Sequence, residues 1–229
     1  MSEKLQLLEG ADKWSTFYKS GFGNSYPDEG LVRLLRGRYA DVPRSGRMID
    51  VGFGIGANLI FFAQTGFECY GVEVGEPMLK AAERSAEEAG VKLNLGLLNG
   101  TRLDFPDNYF DIVLSWGAVY YYGSKTLVAA AIDEFYRVLR PQGVLLMAVP
   151  HPNCHIVPRL SEDLGDGRHK VDRASPYDNR LGIEIFYEAT SSGWRRLLQL
   201  FGEIEEGYFE NDLFNHKRRE ANRLFLARK

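Results

Sequence analysis

A glycine-rich turn is the part of the sequence best suited to bring its backbone against a ligand. Residues 48–56 read MIDVGFGIG, an apolar strand-like stretch that leads through three glycines into a helix-like segment. Glycine tolerates positive φ and has no Cβ to hold a ligand away from the backbone. In open α/β sheets, ligands bind at the carboxyl ends of strands, where this turn would lie. Gly52, Gly54 and Ala57 also fit the G-x-G-x-x-A pattern of dinucleotide sites, so the turn alone leaves the ligand open.

An acidic residue follows at a distance that suits nucleoside binding. Glu73 ends the next apolar stretch, roughly twenty residues beyond the turn, where a carboxylate can accept hydrogen bonds from both ribose hydroxyls. Val74 follows it and can pack against one face of an adenine. A solvated acid at a strand end is the alternative interpretation, and the spacing from the glycine turn favours the binding role.

The elements that position these residues alternate along the chain. Short apolar runs and amphipathic segments with short connections predict an α/β, doubly wound, mostly parallel sheet. Near the end, residues 193–201 are helix-like, and the stretches 203–209 and 222–227 are predicted to pair antiparallel. The predicted strands of the parallel part are 47–51, 68–72, 93–97, 110–115 and 144–149, and its helices are 57–64, 76–89 and 125–139.

The two ends of the chain differ from this alternating core. We predict an N-terminal helical cap over residues 1–45, and a main domain over 46–229 with a lid-like insertion at about 151–190. The cap contains an aromatic segment around Tyr18. Residues 151–180 are polar and rich in Pro, Gly and Asp, which predicts a structureless lid or disordered loop.

A third motif gives the sequence a family resemblance. Residues 98–111, LNGTRLDFPDNYFD, resemble the segment after the third strand of class I S-adenosylmethionine-dependent methyltransferases. Residues 137–143, RVLRPQG, are similar to that family's R-V-L-K-P-G-G turn. The turn at 50–56 matches its D-x-G-x-G-x-G loop, and residues 71–79 match its G-V-D-x-S-x-x-M-L segment. Four motifs in order over about residues 46–150 make the resemblance specific.

The resemblance implies a fold and a set of cofactor contacts. The fold is a Rossmann-like seven-stranded sheet with one antiparallel C-terminal strand. Asp50 and the glycine turn would hold the methionine part of S-adenosylmethionine, with Ser115 lining its amine. Asn99 stands where the family usually has Asp beside the adenine amino group, and an amide oxygen can also accept that hydrogen bond. The implied cofactor-binding residues are Asp50, Gly52, Phe53, Gly54, Gly56, Glu73, Val74, Asn99, Gly100, Ser115 and Tyr18.

The implied reaction is an in-line displacement that passes the methyl group to an acceptor, with S-adenosylhomocysteine as the product. It requires alignment and exclusion of water, and a general base only where the acceptor must lose a proton. His151, just past the fifth strand, is the first candidate base and His155 the second. Aromatic side chains after the fourth strand can line the acceptor pocket or contact the sulfonium by cation–π interaction. The predicted acceptor-site residues are Trp116, Tyr120, Tyr121 and His155.

Composition limits the acceptors and partners. The 229 residues carry a net charge of −3, and no basic stripe of the kind that binds nucleic acid is present. We therefore expect a small-molecule acceptor and no nucleic-acid partner, and a protein acceptor is left open. Two distant cysteines and four scattered histidines predict no metal site, and they favour a reducing cytoplasm. The longest apolar runs predict no membrane partner. The oligomeric state is left open.

Three other functions compete with methyl transfer. An NAD-type oxidoreductase fits the glycine turn, but a second mononucleotide-binding half is not recognisable in the sequence. An aminopropyl transferase would need acidic residues where the sequence after residue 115 is aromatic. A non-catalytic partner subunit that binds S-adenosylmethionine would keep the same motifs, and only turnover separates it from an enzyme.

Overall fold

The structure is a computed structural model that describes residues 25–37, 39–175, 178, 180–213 and 218–229. Its helices are α1 Glu29–Arg36, α2 Ala57–Gln64, α3 Glu76–Glu88, α4 Lys125–Val138 and α5 Ser191–Leu197. Its strands are β1 Gly46–Val51, β2 Phe67–Glu73, β3 Leu93–Leu97, β4 Phe110–Trp116, β5 Leu139–Pro150, β6 Ser161–Gly165, β7 Arg168–Val171, β8 Glu184–Phe186, β9 Glu203–Leu213 and β10 Arg218–Arg228.

Seven strands form the main sheet in the order β3-β2-β1-β4-β5-β10-β9. Strands β1 to β5 pair in parallel, whereas β10 runs antiparallel to both β5 and β9. The mostly parallel sheet with one antiparallel C-terminal strand is therefore confirmed. Because β1 lies between β2 and β4, the strand order reverses at β1 and β4, and the carboxyl ends of these two strands mark the ligand crevice of such a sheet.

Apolar side chains fill both faces of the sheet, as expected for parallel strands that read as continuous apolar runs. On one face, α1 and α2 pack through Leu31 and Phe62 against residues such as Leu114 and Leu146. On the other face, α4 and α5 pack against a larger cluster that continues into the insertion. Two buried layers thus stabilise the main domain. The loops that carry the predicted site lie at the carboxyl ends of the strands.

The insertion corrects one expectation. Residues 151–180 do not form a structureless segment: a π-helical turn, Ile156–Leu160, leads into an antiparallel sheet of β6, β7 and β8. Strands of five, four and three residues are too short to give a clear periodic pattern. A local signal was present, however, since Asp166 and Gly167 both have positive φ in the turn between β6 and β7. An Asp-Gly pair between extended segments is typical of a hairpin.

The described part of the cap contains the helix α1. It begins at Glu29, where the Asp28 side chain caps the helix by accepting a hydrogen bond from the Leu31 N–H. Tyr18 and the rest of the predicted cap up to residue 24 lie outside the described residues. In the chain as described, none of the helices combines the length and apolar character needed to cross a membrane. Residues 25–37, 39–175, 178, 180–213 and 218–229 contain no group of three His, Cys, Asp or Glu that could hold a metal ion.

Candidate functional site

The glycine turn after β1 adopts a backbone that side chains would obstruct. Gly52, Gly54 and Gly56 have φ values of 84°, 61° and 84°, all in the left-handed region. A Cβ on Gly52 would lie 2.6 Å from the Cβ of Ala118, in the segment after β4. The turn therefore packs its backbone directly against the neighbouring strand end. The side chain of Phe53 is buried in the core, so only its backbone contributes to the turn.

Glu73 holds this turn through its carboxylate. Its Oε2 accepts the Gly54 N–H at 2.8 Å, and its Oε1 accepts the Val74 N–H at 2.7 Å. Burial raises the pKa of Glu73 to about 6, although these two hydrogen bonds act to lower it. Each carboxylate oxygen has a further lone pair, so both can still accept a ligand hydroxyl. The predicted ribose contact and the predicted glycine turn are thus one connected unit.

Two buried polar atoms lie at the ends of the adjacent strands β1 and β4. Within the described residues, Asp50 Oδ2 and Ser115 Oγ have no hydrogen-bond partner. Burial, together with the nearby charge of Glu73, raises the pKa of Asp50 well above its ordinary value. Because a buried polar group without a partner is costly, such atoms in a crevice indicate a ligand that supplies the missing contacts.

The segment after β3 lies beside Glu73. The Leu98 N–H donates to the Glu73 carbonyl at 2.8 Å, which anchors the start of the segment. Asn99 is exposed, and Gly100 turns the chain with a φ of 82°. The predicted adenine contacts therefore lie next to the predicted ribose contact, as the order of the motifs requires.

The aromatic residues after β4 are divided between the two faces of the sheet. Trp116 packs against the cluster on the α1 face. It lies near Asp28, whose pKa is raised by burial despite the lowering effects of the Leu31 N–H and of Trp116. Tyr120 and Tyr121 lie on the opposite face, with hydroxyls 3.2 Å apart. The structure therefore joins the two tyrosines and separates Trp116 from them.

His151 follows β5 and lies toward β9. Its ring contacts that of Tyr208 at a centroid distance of 4.5 Å, and its Nδ1 accepts the Asn153 N–H at 3.2 Å. Burial, followed by the charge of Arg223, lowers the pKa of His151, which favours the neutral ring at pH 7. In that neutral ring, the proton is on Nε2 because Nδ1 acts as the acceptor.

Comparison with known proteins agrees with this geometry. Residues 49–147 match the family model described as a methyltransferase domain. The uncharacterized methyltransferase YcgJ of Bacillus subtilis is 34% identical over 103 residues, which are 44% of this chain and 39% of the relative. A solved S-adenosylmethionine-dependent methyltransferase from Methanosarcina mazei has a TM-score of 0.66 at 18% identity, covering 85% of this chain and 96% of the other.

Residues 49–147 are thus similar to methyltransferase domains. A further relative, the ubiquinone/menaquinone biosynthesis C-methyltransferase UbiE of Paraburkholderia phymatum, is 32% identical over 113 residues. These residues are 47% of this chain and 44% of that protein. The chain thus spans less than half the length of these curated relatives, and the similarity concerns the methyltransferase domain rather than the whole proteins.

The residues described above fit S-adenosylmethionine as a methyl donor. The unpartnered Asp50 Oδ2 suits a cationic amine, and Ser115 Oγ can donate or accept at the same end of the crevice. The glycine turn provides backbone that a ligand can approach closely, and Glu73 provides the two acceptor oxygens. These features fit the methionine and ribose portions of S-adenosylmethionine.

The second candidate base has a different setting. His155 is 2% exposed, and its Nδ1 and Nε2 lie 2.8 Å from the Arg219 carbonyl and from Asp178 Oδ2. Burial acts to lower the pKa of His155, but the contacts with Asp178, Cys154 and the Arg219 carbonyl raise it to about 9. With both ring nitrogens engaged, His155 ties the insertion to β10 and has no free nitrogen to accept a proton.

Sequence reasoning missed Asp178 and Arg180. Asp178 Oδ1 accepts the backbone N–H of Arg180 at 2.9 Å, and Arg180 Nη1 lies 3.4 Å from Asp178 Oδ2. Both residues lie in a polar stretch that gives no periodic pattern. Asp178 and Arg180 come shortly before residues 183–186, which read IEIF. The apolar residues of that stretch predict a return of the chain to the core.

Proposed function

We propose that the protein transfers the methyl group of S-adenosylmethionine to a small-molecule acceptor that is enclosed by the insertion. The observation that carries the proposal is the pairing of a glycine turn, held by Glu73, with two buried and unpartnered polar atoms, Asp50 Oδ2 and Ser115 Oγ. When bound, S-adenosylmethionine supplies a methyl group on a positively charged sulfur that leaves readily. Glu73 would accept hydrogen bonds from the ribose hydroxyls, and Asp50 would accept a hydrogen bond from the methionine amine.

The enclosure of the region after β4 supports a small acceptor. Strand β8 contacts the turn Val119–Tyr122, which follows β4, so the insertion covers this side of the crevice. The buried Tyr120 adds a closed aromatic surface. A macromolecular substrate needs an open and usually charged approach, whereas the chain has a net charge of −3. The names of the relatives do not select the acceptor, because they include a human probable tRNA methyltransferase and the ubiquinone/menaquinone biosynthesis enzyme.

The residues of this chain would act mainly by alignment and by exclusion of water. A sulfonium is already a good leaving group, so correct placement of the nucleophile supplies most of the catalysis. His151 would act as a base only for an acceptor that must lose a proton. For that role its Nδ1 has to release the Asn153 N–H, because the Nε2 of the neutral ring already carries a proton.

Calorimetric titration with S-adenosylhomocysteine, with NAD in parallel, tests the donor assignment. We expect micromolar binding of S-adenosylhomocysteine and no binding of NAD. Asp50→Asn is expected to weaken the first, while Asp133→Asn, an exposed position on α4, leaves it unchanged. Binding of NAD alone would contradict the proposal and favour an oxidoreductase.

Turnover tests the catalytic part of the proposal. The purified protein is incubated with methyl-labelled S-adenosylmethionine and a library of small-molecule acceptors, and transfer is read by mass spectrometry. We expect at least one acceptor to gain a single methyl group, and Asp50→Asn to reduce that signal. Tight donor binding with no transfer to any acceptor would favour the non-catalytic partner subunit instead.

A further inference from the structure

The insertion buries more positive than negative charge beside the two tyrosines. His155 is held by the Arg219 carbonyl on one side and by Asp178 on the other. Both contacts of the ring are to acceptors, so the arrangement suits a ring that carries both protons. Asp178, which is 7% exposed, faces Arg180 as well. A single carboxylate therefore serves two cationic side chains.

Arg180 has an unused donor in this cluster. Its side chain is 13% exposed, and its Nε is buried without a hydrogen-bond partner among the described residues. Burial acts to lower the pKa of the Arg180 guanidinium. The nearby phenols of Tyr121 and Tyr120 contribute to raising that pKa above its ordinary value. A buried charged donor without a partner is costly, and the planar guanidinium fork matches an oxyanion.

The other titratable group in the cluster is a thiol. Cys154 is 4% exposed; burial acts to raise its pKa, but the contacts with His155 and the Ile156 N–H and the charge of Arg180 together lower it below the ordinary value. Tyr187 is half-buried, and Cys154 raises its pKa in addition to the effect of burial. A thiolate at Cys154 is the alternative counter-charge within the chain, so the test below includes it.

We propose that Arg180 determines acceptor specificity by binding a carboxylate of the acceptor, with the hydroxyls of Tyr120 and Tyr121 beside it. The proposal rests on the proposed function, because it names the acceptor class of that same site. One unbalanced positive charge matches one negative charge, which favours a carboxylate over a doubly charged phosphate. The aromatic rings favour a carboxylate attached to an apolar or aromatic body.

Nitrogen NMR of the arginine Nε–H groups observes the proposed contact directly. The protein is saturated with S-adenosylhomocysteine, and the Arg180 signal is assigned by its loss in Arg180→Lys. Benzoate, benzamide and inorganic phosphate are then titrated as probes. We expect a saturable shift of the Arg180 signal with benzoate, at least tenfold weaker binding of benzamide, and weaker binding of phosphate.

Two variants identify the group that binds. Arg180→Gln is expected to weaken benzoate binding by more than tenfold, while Arg173→Gln, an exposed arginine of the same insertion, leaves it unchanged. Arg180→Lys keeps the charge without the fork and is expected to bind benzoate with intermediate affinity. Thermal unfolding of each variant confirms that the insertion is folded.

Several outcomes would overturn the proposal. Absence of a saturable shift with benzoate, equal binding of benzamide, or tighter binding of phosphate would each contradict a carboxylate at Arg180. Benzoate binding to Cys154→Ser but not to the original protein would assign the counter-charge to the thiolate. Retained binding of S-adenosylhomocysteine in the same samples would show that only the acceptor assignment had failed, and that the donor assignment stands.

Discussion

The donor side and the insertion side of this molecule are built in different ways. On the donor side, Glu73 holds a glycine turn through the backbone N–H of Gly54. On the insertion side, His155 is held by Asp178, 23 residues away, and by Arg219, 64 residues away. A glycine turn leaves a sequence motif, whereas contacts that form only when separate segments pack together, such as that of His155 with Asp178, do not.

The two sides also differ in the sign of their buried charge. Asp50 and Glu73 place two buried acidic side chains at the donor side. His155 and Arg180 place cationic groups on the insertion side, with Asp178 opposite them. A donor that carries an amine and a sulfonium suits the first side, and an anionic acceptor suits the second. The cationic donor and the anionic acceptor would then attract one another at the carboxyl ends of the strands.

The largest effect is expected from adding a side chain to the glycine turn. In Gly54→Val, a β-branched side chain is forced to a φ of 61°, which costs about 1–3 kcal/mol, and it also fills the space that the ligand needs. We expect no detectable binding of S-adenosylhomocysteine by calorimetry. Gly66→Val is the control: it has a φ of 101° outside the site, and its added Cβ meets no atom within 4 Å. Equal loss of binding in both variants would indicate a general folding defect.

A second large effect is expected on the stability of the insertion, while the donor side should be unaffected. Asp178→Asn leaves two buried cationic groups without their carboxylate, and breaking such a pair costs about 3–5 kcal/mol. We expect faster hydrogen exchange across β6, β7 and β8, with binding of S-adenosylhomocysteine unchanged. Asp163→Asn, at a side chain of β6 that is 70% exposed, serves as the control and should change neither measurement.

The pH dependence of the insertion follows from His155. Its pKa is about 9 in the folded protein, above the ordinary value, so its stabilising contribution is present below about pH 6.5. That contribution is lost as the pH rises through about 9. We expect exchange across β6 to β8 to accelerate over this range in the original protein more than in Asp178→Asn. A parallel change in both proteins would assign the effect to another group.

The same contrast explains which features were predictable from sequence. The predicted bounds 57–64 and 93–97 are those of α2 and β3. Both elements were predictable because the apolar pattern and the nearby glycines specify them locally. The contact between Gly54 and Glu73 was foreseeable, because parallel neighbouring strands bring their carboxyl ends together. Asp178 and Arg180 were not, because their partners are fixed only after the insertion folds. Trp116 and Tyr120 were predicted together, but the structure places them on opposite faces of the sheet, and the acceptor role of each stays a prediction.

A smaller effect tests whether the ionised form of Glu73 is what binds the ribose. Glu73→Gln keeps one acceptor oxygen but turns an N–H₂ toward a backbone N–H. We expect S-adenosylhomocysteine to bind about 1–3 kcal/mol more weakly by calorimetry. Glu68→Gln, on the exposed face of the same strand, is the matched control.

The same residue gives the donor side its own pH dependence. Because the pKa of Glu73 is about 6, the carboxylate is increasingly protonated as the pH falls below that value. Affinity for S-adenosylhomocysteine should therefore fall roughly tenfold between pH 7 and pH 5. Glu73→Gln should show a flatter profile over that range. A decrease of the same size in the variant would point to Asp50 as the titrating group.

The smallest expected effect concerns the donor-side position where this sequence departs from the family pattern. Asn99 is exposed beside Glu73, at the predicted contact with the adenine amino group. Asn99→Asp would replace a neutral acceptor by a charged one, and we expect binding of S-adenosylhomocysteine to strengthen by about 0.5–1 kcal/mol. S-inosylhomocysteine, which has a carbonyl in place of that amino group, should lose affinity for the same variant because carbonyl and carboxylate repel. If both ligands respond alike, residue 99 does not contact the base, and the adenine must be recognised by the backbone alone.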